Sequence, residues 1–422
     1  MTSRLVIKAG TLLDGKGNKS HNQALILQGE CITNIVSISE FHEQTDDDII
    51  DATNHTVMPG LVDGHVHTFK QGDPDEPYAA QTLELGDFAL NSLRNAQHDL
   101  EAGFTTIRDL ASIGFVDVAL KRAIESGRFT GPRMRVSGHG LSMWGGHMHW
   151  NRGLRRGLDT IETMGVVNTP DETKACARYQ ISRGVDCIKF NVSGSSRSLD
   201  KRMVIRQEMD YEMLKMGVME AKKNGLMTAA HCHGGQGATD AIEAGVDTLE
   251  HGHFLTDEHF ERMLKQGTIL VPTLCPNEKL FERGRKGSGS TEESWDWLQG
   301  IMEVKTEMLH RALKAGVPVA AGSDAGTRYN YHGENAREME FMVLRGMTPM
   351  QAITAMTFTA ARATQLDAFT GSLEPGKWAD VLVVAGNPLE DIKVLNEKER
   401  ILKIIKQGKI LIDRQTKEPS CL

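Results

Sequence analysis

Two histidines one residue apart, His65 and His67, follow the run Pro59-Gly60-Leu61-Val62-Asp63-Gly64. On a strand, residues two apart face the same side, so both imidazoles can reach one metal ion. Alone, the pair is equally two polar residues at a strand end. Four more residues weigh against that plain reading. Lys189 closes the apolar strand Val185-Asp186-Cys187-Ile188, where a buried ammonium is costly unless something pairs with it; a Lys at a solvent rim is the alternative. His231 ends Leu226-Met227-Thr228-Ala229-Ala230, His251 ends Asp247-Thr248-Leu249-Glu250, and Asp324 ends Val317-Pro318-Val319-Ala320-Ala321-Gly322-Ser323. Each of these alone reads more simply as a hydrogen-bonded structural group. Together, His, Asp and a modified Lys form a ligand set suited to zinc-type ions.

The elements that must position them alternate. Strands are predicted at 60–66, 104–110, 133–138, 186–192, 226–232, 247–251, 268–274 and 317–324, with helices between them, for example at 208–224 and 295–315. Eight such alternations over roughly 300 residues predict a (β/α)8 barrel, a TIM barrel of the α/β class. Thr169-Pro170-Asp171-Glu172 and Thr348-Pro349-Met350-Gln351 read as capped helix starts, with Thr at the cap, Pro first and Glu or Gln third. Gly225 and Gly346 mark helix stops. The candidate residues then fall at the carboxyl ends of barrel strands 1, 4, 5, 6 and 8, where barrel active sites are built. Residues 1–57 and 366–422 instead read as short strands separated by turns, and are expected to pair into one small composite β-sandwich beside a barrel of residues 58–365.

Composition narrows the class. The chain has 422 residues, with 48 basic and 56 acidic side chains and a formal charge of −8, which argues against a nucleic-acid surface. No apolar run approaches the ~20 residues of a membrane helix, and the opening residues carry no apolar secretory stretch. The six cysteines, at 31, 176, 187, 232, 275 and 421, form no CxxC pair; a reducing cytoplasm is the expectation. The segment 283–290 is low in complexity and reads as a mobile loop or part of a lid.

Several runs resemble the amidohydrolase superfamily, in particular its imidazolonepropionase-related and Xaa-Pro (Xaa-Arg) dipeptidase-like branch. They are Met58-Pro59-Gly60-Leu61-Val62-Asp63-Gly64-His65-Val66-His67, Ile188-Lys189, Ala230-His231-Cys232-His233-Gly234, Glu250-His251-Gly252 and Gly322-Ser323-Asp324-Ala325-Gly326. The C-terminal runs 371–384 and 386–392 match as well, so the similarity covers nearly the whole chain. The resemblance implies two divalent metal ions, read as zinc, with cobalt or manganese fitting the same donors. It places His65, His67 and Asp324 on the more buried ion, His231 and His251 on the second, and a carbamylated Lys189 between them. The chemistry agrees, because an ammonium has no lone pair whereas a carbamate offers two anionic oxygens. The implied reaction is hydrolysis of an amide by a metal-bridging hydroxide, with Asp324 moving the proton.

Substrate contacts are expected after strand 3. There Gly138-His139-Gly140-Leu141-Ser142-Met143-Trp144-Gly145-Gly146-His147 resembles the family's Thr-Gly-Gly-His loop, with His147 at the position that meets the substrate carbonyl. Trp144 replaces the usual Thr, which favours a larger or more aromatic pocket over simple dipeptide specificity; packing within the loop is an equal alternative for its side chain. His332 is a further pocket candidate, or else caps the next helix; His233 and His253 read as supporting groups. Arg197, Arg202 and Arg206 are candidates for a substrate carboxylate, against a solvated helix face. The expected substrate is a small-molecule amide: a dipeptide, an N-acyl amino acid or a related carboxamide. An aryl amide, urea or carbamate of a toxin or xenobiotic is the alternative. A mononuclear deaminase leaves Lys189 without a task, and a non-enzymatic scaffold would be expected to have lost ligands. No nucleic-acid or membrane partner is expected, and relatives of this kind often form homo-oligomers.

Overall fold

The computed structural model describes residues 4–74, 82–149, 165–194 and 205–415. Strands β1 (Arg4–Leu13), β2 (Lys19–Gln28), β3 (Cys31–Ser37) and β4 (Asp48–Pro59) come first. Then follow β5 (Leu61–Val66), β6 (Phe104–Asp109), β7 (Arg133–Val136), β8 (Cys187–Asn191), β9 (Met227–Gly234), β10 (Thr248–Phe254) and β11 (Ile269–Val271). The chain ends with β12 (Val381–Val384), β13 (Ile401–Lys406) and β14 (Lys409–Asp413). The two ends pair as expected, into one seven-stranded sheet in the order β14-β13-β12-β4-β1-β2-β3. It curls back on itself, since Cys31 on β3 bridges to Trp378 just ahead of β12. Ile7, Leu25, Ile32, Val57, Val381 and Ile405 fill its inner face.

The middle is the barrel. Strands β5-β6-β7 and β8-β9-β10-β11 form two parallel sheets. Two seams join them. At one, Leu141 N donates to Lys189 O (2.8 Å) and Asn191 N to Leu141 O (2.8 Å). At the other, the eighth segment lies between β11 and β5. Leu270 N donates to Pro318 O (2.9 Å), Ala320 N to Leu270 O (2.9 Å), Gly64 N to Ala321 O (3.0 Å) and Asp324 N to His65 O (2.7 Å). This segment was expected as a regular strand over 317–324, but it forms no continuous ladder. Pro318 has no N–H to contribute, and Asp324 turns out of the strand with a left-handed φ of 55°. Every residue of β5, β6 and β8 is buried, as parallel strands covered on both faces require.

The expected caps form. Thr169 Oγ1 accepts from Glu172 N at the start of helix α1 (Pro170–Arg183), and Thr348 and Gln351 make a reciprocal capping box at Pro349. Asp210 caps α2 (Tyr211–Lys223), which stops just before Gly225, and Thr291 caps α3 (Glu292–Ala315). The 283–290 segment is not simply a loop, for Gly284–Ser288 form a short helical turn. Among the described residues no helix is long and apolar enough to cross a membrane, and none of the cysteines is in a disulfide.

Candidate active site

The expected residues converge at one mouth of the barrel. A cavity of about 250 Å³ is lined by His65, His67, Lys189, His231, His251 and Asp324, together with His147. The six candidate ligands are each at most 8% exposed. One ligand atom each of His65, His251 and Asp324 lies within 4.8 Å of the others. His67 Nε2 is 3.2 Å and His65 Nε2 3.7 Å from Asp324 Oδ1. The His231 ring lies 4.5 Å from that of His251, and His147 stacks on His231 at 4.1 Å.

The outer nitrogens are anchored. His65 Nδ1 meets Glu250 Oε2 (2.8 Å), His67 Nδ1 meets Ala111 O (3.2 Å) and His251 Nδ1 meets Thr273 Oγ1 (2.6 Å). Such contacts fix the ring and leave Nε2 facing inward, as metal-binding histidines need. Two inward atoms lack partners: Lys189 Nζ and His231 Nε2 are buried with no hydrogen bond. Ala111, His251, Thr273 and Asp324 also hold positive φ, a strained conformation that clusters at functional sites.

Electrostatics favour lone pairs. Burial lowers the basicity of all the site's histidines, with His67 down to about 4 and His147 to about 3. Burial also pushes the Lys189 ammonium down to about 8, against the pull of Glu250 and Asp324. For Asp324 burial works upward, but His65 and His67 override it and hold the carboxyl well below the usual carboxylate range. The set is therefore one carboxylate, several neutral imidazoles and an amine that readily loses its proton.

Beneath lies a tier that motif reading passed over. Glu250 is fixed by His65, by Arg108 Nη2 (3.0 Å) and by Thr248 Oγ1 (2.5 Å). Arg108 also donates to Gly64 O (2.6 Å) and Ala363 O (2.8 Å). Asp63 accepts from His65 N, Ser323 N, Ser323 Oγ and Asn335 Nδ2, and so ties the first strand to the eighth segment. Glu250 and Asp63 each stand within two residues of a candidate ligand, the one signal that could have singled them out.

The structure does not bring every expected contact to the cavity. Trp144 is 56% exposed and packs edge-on against His149 instead of lining the cavity. His332 is buried behind His67, with Nδ1 on Asp99 Oδ2 (2.8 Å) and Nε2 on His67 O (3.1 Å). Burial opposes its charge, but Asp99 prevails and raises its pKa. His332 thus holds the backbone of a candidate ligand and caps no helix through its side chain. His233 and His253 do line the cavity, stacked at 4.4 Å. Arg206 is exposed, while Arg197 and Arg202 lie outside the described residues.

The chain has relatives among known proteins. The model of the Amidohydrolase family matches residues 56–411. Ochratoxinase from Aspergillus niger is 32% identical over 429 aligned residues, covering 96% of this chain and 86% of that protein. The crystal structure of a Xaa-Pro dipeptidase with methionine bound in its active site superposes with a TM-score of 0.86 at 33% identity, covering 97% of this chain and 99% of the other. An imidazolonepropionase from Geobacillus kaustophilus is 26% identical over 384 residues, 87% of this chain and 83% of that protein. With a family match across most of its length and a barrel-mouth histidine cluster, the chain belongs to the amidohydrolase family.

Proposed function

We propose that the cavity is the centre of a binuclear metal-dependent amidohydrolase that cleaves the C–N bond of a carboxamide, either a dipeptide or an N-acyl amino acid. Family membership makes the chain a hydrolase of C–N bonds. The observation that carries the finer reading is the pair of inward atoms without partners, Lys189 Nζ and His231 Nε2, beside imidazoles whose outer nitrogens are anchored. His65, His67 and Asp324 would hold one divalent ion, His231 and His251 the other, and Lys189, as its carbamate, would serve both. Ions bound there supply a nucleophile at neutral pH by lowering the pKa of water and draw electron density from the scissile carbonyl. Zinc suits these donors, and cobalt or manganese does also.

The chain's own groups do the rest. His147, a neutral imidazole stacked on His231, donates a hydrogen bond to the substrate carbonyl. Asp324 accepts a proton at Oδ1 from the attacking water and passes it to the departing nitrogen. Glu250 and Thr273 keep the ligand rings from turning.

A second reading is an aryl amide of a toxin or xenobiotic. It is favoured by the relative named for its action on ochratoxin and by the apolar wall of Leu110, Met148, Pro276 and Leu280. One experiment tests both. Metal-loaded and chelator-stripped protein is incubated with a mixed library of dipeptides, N-acyl amino acids, aryl amides and aryl ureas, and products are read by mass spectrometry beside metal content. Metal-dependent loss of the dipeptides or N-acyl amino acids is expected. Loss confined to aryl compounds moves the assignment to the second reading, and turnover that survives complete chelation overturns the metal centre.

A further inference from the structure

Arg328 is a cation of the cavity wall that the proposed chemistry does not use. It stands four residues past Asp324 and lines the same cavity. Its Nε is buried without a hydrogen-bond partner, and its guanidinium forms no ion pair among the described residues. Several other arginines are paired: Arg108 with Glu250, Arg133 with Asp380, Arg337 with Glu282 and Arg345 with Glu278. A guanidinium is a rigid fork of donors shaped for a carboxylate, and leaving it unpaired in a half-buried wall is costly.

The loop that carries Arg328 is held in place. Asn330 Nδ2 donates to Ser323 O (2.7 Å) and Asp324 O (2.8 Å), and Thr327 Oγ1 donates to Asp324 O (2.7 Å). Tyr329 N reaches Gly72 O at 2.6 Å, and Tyr329 is kept at a left-handed φ of 62°. Arg328 is therefore set at a fixed reach from Asp324, the proposed proton carrier. A second guanidinium joins it from the end of the Cys275–Glu282 helix. Arg283 lies 4.2 Å and Arg328 5.1 Å from the centre of the Tyr329 ring. Arg283 is exposed and lies outside the cavity lining, whereas Arg328 is half-buried within it, and no acid of the described chain is paired to either. Apart from Lys189, which the proposed chemistry uses as its carbamate, the cationic side chains of the lining are Lys70 and Arg328, and Asp324 is the one carboxylate.

We infer that Arg328 is a carboxylate-binding subsite, and that the enzyme selects amides bearing a free carboxylate. The inference rests on the amide-hydrolase reading above and names the residue that reads the carboxylate which its dipeptides and N-acyl amino acids share. Arg328 grips the carboxylate in two parallel hydrogen bonds, and the pinned loop then holds the amide carbon over the reacting groups. Neutral amides of the same size lose that grip.

The test uses metal-loaded, full-length protein and a panel of N-benzoyl amino acids with the matching C-terminal carboxamides. Binding is measured calorimetrically and release of benzoate kinetically. Wild-type protein is expected to prefer the carboxylates by about 50-fold. Arg328→Met should raise KM for the carboxylates by a similar factor with little change in kcat, and should leave the carboxamides unaffected. Arg328→Lys should recover part of the preference, since it restores the charge without the fork. Equal affinity of the wild type for both series overturns the inference, and so does equal loss on both series in Arg328→Met. Carboxylate-selective binding that Arg328→Met abolishes, without benzoate release by any protein, sustains the subsite and instead overturns the amide-hydrolase reading.

Discussion

Arg108 on β6 and Lys189 on β8 are both buried cations, at 1% and 2% exposure. Around Arg108 each of the three nitrogens donates: it reaches Gly64 O, Ala363 O, Thr248 Oγ1 and Glu250 Oε1. Around Lys189, one tier nearer the mouth, Nζ has no partner at all. Equal burial with opposite satisfaction separates scaffold from site. A buried polar group is ordinarily hydrogen-bonded because leaving it bare costs about 1–3 kcal/mol. The lower tier avoids that cost and holds the barrel together. The upper tier carries it, with four wall residues in strained backbone besides, and an upper tier of this kind is completed by groups the chain does not itself supply.

The contrast breaks most readily at its lower half. Arg108→Met leaves Glu250 buried without its cationic partner, and should cost about 3–5 kcal/mol of stability in chemical denaturation. Lys189→Met should do the reverse. It removes an unpaired amine of nearly equal length, so stability should stay within about 1 kcal/mol of wild type or rise, while metal content and turnover are lost. If Lys189→Met were as destabilising as Arg108→Met, the two tiers would not differ in kind.

The acid limb sharpens the same comparison. Burial alone pushes Glu250 up, but Arg108, and next His65, bring it down to about 2 from an ordinary 4.5. Between those values the unfolded chain binds the extra proton. Glu250 therefore stabilises the fold above about pH 4.5, and that contribution, about 3 kcal/mol, is lost as pH falls toward 2. Asp109, on the same strand as Arg108, runs the other way. Burial, and then the charge of Asp117, raises its carboxyl above the usual range, so it penalises the fold as pH rises from about 4 toward neutrality. Glu250→Gln should flatten the acid limb of a stability–pH profile, and Asp109→Asn should lift the profile on its neutral side. Parallel profiles for both variants and wild type would discard the assignment.

Much of the upper tier was legible because its residue types are rare on barrel strands and announce themselves in short runs, such as His65-Val66-His67 or Glu250-His251. The lower tier was not. Arg108 and Glu250 are 142 residues apart and Asp63 and Ser323 are 260 apart, so only the closed barrel makes them neighbours. Barrel strands from 60 to 274 were readable from apolar runs, whereas the eighth segment hid its irregularity in one proline and one left-handed aspartate. His332 looked like a pocket residue by its place after Asp324, yet its ring turns inward to Asp99 because a buried carboxylate there needs a donor.

The smallest effect is expected where sequence reading put an aromatic contact. Trp144 and His147 share one turn, separated by Gly145 and Gly146. The turn is anchored from inside, with Glu208 Oε2 accepting from His147 N (2.8 Å) and Ser142 Oγ (3.2 Å). That anchor directs His147 onto His231 and leaves Trp144 on the outer side, where its N donates to Asn168 Oδ1 (3.1 Å). Trp144→Ala should therefore change kcat/KM by less than about twofold and stability by about 0.5 kcal/mol or less, as substitutions at exposed positions do. His147→Ala should lower kcat by about 100-fold or more with metals retained, as loss of one preorganised donor to a reacting carbonyl does. Steady-state kinetics on the two variants read the difference directly. A large loss in Trp144→Ala beside an unaffected His147→Ala would mean that substrate approaches over the outer side of the turn, and that the stacked imidazole belongs with the scaffold.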